Sequence, residues 1–113
     1  MENSNKERFI QASIKYGLAS EEGNSRVANK NVEIIKNVKE VWKKDRDVYI
    51  SEMLSLIEHP EDYVKLKAAY SLIPYCPKEA RQVLDQLSSQ KRGQLGFEAE
   101  RILFMWDSGE LKI

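Results

Sequence analysis

Residues 60–73 read PEDYVKLKAAYSLI, and this stretch decides the fold class. A proline opens it, two acids follow, and Pro74 stands just past its end. Tyr63, Val64, Leu66, Ala68, Ala69, Tyr70, Leu72 and Ile73 are apolar or mostly so, which leaves Lys65, Lys67 and Ser71 as the plainly polar positions between them. Wound as a helix, such a segment keeps little face for water and has to be packed on several sides. Pro60 suits the first helical turn, where its missing N–H is harmless. Glu61 and Asp62 complement the positive end of the helix dipole.

Working outward, the same helical spacing recurs on both sides. Toward the N-terminus, Phe9, Ile10, Ile14, Gly17 and Leu18 predict a helix over 4–20. The run Ser20 to Ser25 breaks it, and Ser25 or Asn24 caps the next helix, 25–44. That helix carries a broad apolar stripe of Val27, Ala28, Val32, Ile34, Ile35, Val38, Val41 and Trp42. A third helix over 47–58 uses Val48, Tyr49, Met53, Leu54, Leu56 and Ile57, and it ends because Pro60 disfavours the α conformation in the residue before it. Beyond Pro74, Pro77 restarts a helix over 77–89 with Ala80, Val83, Leu84 and Leu87. A last helix over 94–107 uses Leu95, Phe97, Ala99, Ile102, Leu103 and Trp106, with Gly109 as its C-terminal cap. No segment alternates like a strand.

The helices repeat. Met53, Leu54 and Ile57 align with Val83, Leu84 and Leu87, while Val64, Ala68 and Leu72 align with Leu95, Ala99 and Leu103. An alanine with branched apolar residues four positions to either side lets a neighbouring backbone come close. Helix pairs at such a period are the mark of a helical solenoid. The expected fold is therefore all-α: one domain over 1–113, with six helices in three antiparallel pairs at about 4–44, 47–73 and 77–107.

Composition narrows the function. The 113 residues carry 18 basic and 18 acidic side chains, so no electrostatic footprint for nucleic acid or a membrane surface emerges. A single cysteine, Cys76, excludes an internal disulfide and fits a reducing compartment. With His59 the only histidine, no metal set forms. Cys76 and His59 lie at opposite ends of the 60–73 helix, roughly 20 Å apart, which is too far for a nucleophile–base pair. Phosphate-binding glycine loops and a serine elbow are absent. No catalytic residue, cofactor or metal is expected. MENSNKERF has no signal-peptide core, and the expected location is cytoplasmic.

The run Tyr63 to Leu72 resembles the second helix of a HEAT-type repeat, where a basic residue follows a valine and precedes an alanine pair. His59 to Leu87, then LGFEAE from Leu95 to Glu100 and WDSGEL from Trp106 to Leu111, is similar to a small bacterial HEAT-like (alpha-alpha superhelix) domain family of unknown function. NSRVANK, from Asn24 to Lys30, resembles that family's N-terminal helix signature. The resemblance covers most of residues 20–112, and it rests on packing motifs. It implies a short right-handed solenoid and a protein-interaction module. Some related HEAT-like proteins are linked to toxin–immunity systems, so the most concrete implied role is a protein that binds and occludes a cognate bacterial toxin. The alternatives are a HEAT-like nucleic-acid binder of the DNA glycosylase kind and a structural or homo-oligomeric helical domain.

Seven residues make up the candidate partner-binding surface. Asn29 lies among apolar residues of the second helix and serves either a partner contact or a buried structural amide. Lys65, Lys67 and Arg101 fall on the second helices of consecutive pairs, and Glu33, Lys36 and Glu98 extend that wall. The bland account of these charges is an ordinary solvated face. Lys36, Lys39, Lys43 and Lys44, with Glu33, Glu40 and Trp42 nearby, are what a nucleic-acid reading would use, but the balanced charge speaks against it.

Overall fold

Six α-helices account for the regular structure of residues 2–111, the part described in the computed structural model, with side chains described from Asn5 onward. They are α1 (Glu2–Glu21), α2 (Ser25–Trp42), α3 (Arg46–Leu56), α4 (Asp62–Leu72), α5 (Pro77–Gln90) and α6 (Gly93–Asp107). No strand occurs among the described residues, so the chain is all-α. It packs as two compact units, residues 1–52 and 53–113, with the division inside α3.

In the first unit α1 packs along α2. Phe9 of α1 stacks on Trp42 of α2, with ring centroids 5.9 Å apart. The turn between the helices is tight because one residue serves both ends. Gly23 takes φ +74°, and the Asn24 N–H reaches back to the Ala19 carbonyl at 2.8 Å. The Asn24 side chain then accepts the Val27 N–H at 3.2 Å, which makes it the N-cap of α2. This is the Schellman ending of one helix fused to the start of the next. Asp45 caps α3 in the same manner, its Oδ1 accepting the Asp47 N–H at 3.0 Å.

In the second unit α4 packs on α5 and α6, and α5 packs on α6. Every residue of α4 is buried or half-buried. Val64, Leu66, Ala68, Ala69 and Leu72 are among its core side chains, as the apolar reading of residues 60–73 requires. The α5–α6 turn brings backbone against backbone at Gly96, where an added Cβ would sit 2.2 Å from the Lys91 carbonyl oxygen. At the far end of α6, Gly109 takes φ +78° and the Glu110 N–H reaches Met105 O at 2.9 Å, a second Schellman ending.

The structure corrects four expectations. Pro60 lies outside α4, which starts at Asp62 with Glu61 as N-cap. The His59 Nδ1 accepts the Glu61 N–H at 3.1 Å, and this local turn holds Pro60 ahead of the helix. Ser71 is buried, and its hydroxyl donates to the Lys67 carbonyl at 2.8 Å, so it offers no surface. The buried amide of α2 is Asn31, donating to the Val27 carbonyl at 3.0 Å, while Asn29 is exposed. Leu18, Val27, Val32 and Val41 face solvent rather than the core, and so does Phe97. An apolar side chain is buried only where a neighbour covers it, and helical spacing alone does not say which flank of a stripe has that neighbour.

Candidate functional site

Helices α4 and α6 are in contact within the second unit, and Ala68 and Ala99 are both fully buried. Side chains of the two helices line an open recess of about 220 Å³. Its apolar lining comes from Leu66 of α4, from Ile102 and Met105 of α6, and from Leu111 beyond the Gly109 turn. Tyr70, Lys67, Glu98 and Arg101 add polar groups to the same walls. The turn at Gly109 is what brings Leu111 here, since the Glu110 and Leu111 N–H groups both reach the Met105 carbonyl.

Lys67 is the electrostatically unusual group. Burial pushes its ammonium below the ordinary lysine range, and the Glu98 carboxylate pushes it partly back up. Desolvation is the larger of the two effects. Arg101 of α6 lines the same recess, so two cations and one carboxylate border it. An apolar floor beside these charges suits an amphipathic segment that presents a carboxylate next to an apolar side chain.

The structure places the seven sequence-selected residues in three groups. Lys67, Glu98 and Arg101 come together around the recess. Asn29, Glu33 and Lys36 are exposed on one face of α2, in the first unit. Lys65 is half-buried on α4 and does not line the recess. At roughly 100° per residue, Lys65 and Lys67 point about 200° apart, so the two lysines form no stripe. Sequence reasoning missed the apolar members of the site, Leu66, Ile102, Met105 and Leu111, and also Tyr70. Nothing in their spacing separates a groove lining from a core. The WDSGEL run held the one available signal, because Gly109 marks a chain reversal that returns Leu111 to α6.

Among the described residues no group of three or more histidine, cysteine, aspartate or glutamate side chains is placed to hold a metal ion. None of the described helices is long and apolar enough to cross a membrane. His59 is engaged in the turn before α4, and Cys76 is the half-buried residue preceding Pro77 at the start of α5.

Fold and site together define an all-helical domain with a small amphipathic groove. A family model described as a domain of unknown function, DUF2019, matches residues 6–107, and the chain belongs to that family. A solved structure, the protein RPA1889 from Rhodopseudomonas palustris CGA009, is similar in fold with a TM-score of 0.88. The likeness covers 100% of this chain and 93% of that one at 21% sequence identity. No curated protein matches this chain.

Proposed function

We propose that the chain is a non-enzymatic protein-interaction module that takes a segment of a partner protein into the α4–α6 groove. The observation that carries this reading is the combination of an apolar floor and fixed charges in one recess. The partner segment would set an apolar side chain against Met105 and Ile102 and a carboxylate against Lys67 and Arg101. Charges so placed steer and orient a partner more than they add affinity. The scaffold reading that accompanies this is a short HEAT-like right-handed solenoid of three helix pairs. It draws support from the close α1–α2 and α5–α6 packing and from the matched alanines of α4 and α6. In its most concrete form the module is an immunity-type cytoplasmic protein that occludes a cognate toxin, without cofactor or metal.

The test is affinity capture from the native host with the wild type and with Met105→Glu, once equal melting temperatures show that both are folded. The expected result is a partner held by the wild type and lost with Met105→Glu. Equal capture by both proteins overturns the groove reading, and so does a gel shift with DNA at low ionic strength in place of any protein partner. A toxin gene beside this one supports the immunity role, whereas an unrelated metabolic operon counts against it.

A further inference from the structure

Phe97 and Phe104 are the most exposed large apolar side chains among the described residues, at 61% and 68%. They are seven residues apart on α6, so they stand on one line of the helix surface, roughly 10 Å from each other. The side of α6 that carries Leu95 and Ala99 is buried, which leaves this line outermost. Between the two rings, one turn in, Glu100 flanks the line on one side and Arg101 on the other, and both are exposed. At about 100° per residue the acid and the base sit at nearly equal angles from the line and at nearly the same height.

We propose that this face binds a second copy of the chain, α6 against α6, in parallel about a two-fold axis that runs along the helices. The charges select that arrangement. A two-fold along the helices carries the acidic flank of one copy onto the basic flank of the other at the same height. Glu100 then meets Arg101 of the partner copy twice, with Phe97 against Phe97 and Phe104 against Phe104 between them. An antiparallel two-fold keeps each flank on its own side and would set Glu100 against Glu100 and Arg101 against Arg101. The face is thus complementary to itself in one orientation, which is the requirement for a closed symmetric dimer. Aromatic pairs in the seam add to the area that they bury.

One helix per copy buries less than the ~1,600 Å² of a standard interface, so the dissociation constant is expected in the micromolar range. Analytical ultracentrifugation from roughly 1 to 500 μM brackets that range. The wild type should pass from monomer to dimer across it. Phe104→Ser should stay monomeric with an unchanged melt at low concentration, because the residue is exposed in the monomer. Glu100→Arg should do the same, since two arginines then face each flank. The double variant Glu100→Arg with Arg101→Glu restores opposite charges across a parallel pair and should dimerise again. Arg101 also borders the groove, so Glu100→Arg and Phe104→Ser, which lie off it, keep this result separate from partner binding there. A wild type that is monomeric throughout, a dimer that survives Phe104→Ser, or a double variant that stays monomeric each overturns the proposal.

Discussion

Helices α4 and α6 carry the same sequence pattern and meet different surroundings. Val64, Ala68 and Leu72 of α4 align with Leu95, Ala99 and Leu103 of α6. In α4 no residue is exposed, whereas α6 buries only Leu95, Gly96 and Ala99 and holds Phe97 and Phe104 out to solvent. The difference teaches that the shared pattern encodes one buried stripe on each helix, centred on its alanine. What happens on the other flanks depends on whether another helix happens to lie there.

The comparison breaks most sharply at the alanines. Ala68→Asp puts an unpaired carboxylate into the fully buried α4 seam and should cost about 3–5 kcal/mol, read as a lowered midpoint in urea unfolding. Phe104→Asp, on the open flank of α6, should stay within ~0.5 kcal/mol at monomeric concentration. Equal losses at the two positions would show that α4 is no more enclosed than α6.

Gly96→Ala is the intermediate case. Alanine gains about 1 kcal/mol over glycine in a helix interior. Here its Cβ would meet the Lys91 carbonyl at 2.2 Å, a contact with backbone that no side-chain rotation relieves. Overpacking of that kind costs about 1–3 kcal/mol, so the net effect should be a loss. A Gly96→Ala protein that melted above the wild type would mean that the α5–α6 turn yields easily.

The smallest effect concerns Lys67. Its folded-state pKa is lowered, so the unfolded chain binds more protons just below the ordinary lysine range. Stability from this group therefore rises with pH as the folded pKa is passed, and the rise levels off above the unfolded value. Urea unfolding of the wild type and Lys67→Met as a function of pH should show the difference moving in favour of the wild type on the alkaline side. Glu98, Arg101 and Tyr70, the other charged or titratable groups in the groove, are common to both proteins. Parallel curves would show that Lys67 keeps its full hydration.

The helices themselves were legible because their apolar spacing and their Gly and Pro boundaries are local signals. Pro77 begins α5 and Gly109 ends α6 as read, and Asn24 caps α2. Pro60 was misplaced because the His59 side chain, not the proline ring, fixes the turn before α4. Which amide of α2 is buried is not legible from the apolar stripe, since Asn29 and Asn31 both lie among apolar residues and only Asn31 is buried, bonding its own helix backbone. Of the site, the charged members Lys67, Glu98 and Arg101 were visible in the sequence. Their apolar companions were not, since Ile102 and Met105 look the same beside a groove as inside a core.

The double duty of Asn24 has a consequence for how the chain tolerates change in length. Its backbone N–H closes α1 and its side chain opens α2, so the two helices share a single hinge residue with no slack. One extra residue on either side would have to give up one of these two bonds. It would also turn one helix by roughly 100° about its axis relative to the other, unseating the Phe9–Trp42 stack at the far end. Residues 23 and 24 therefore act as a ruler for the first unit.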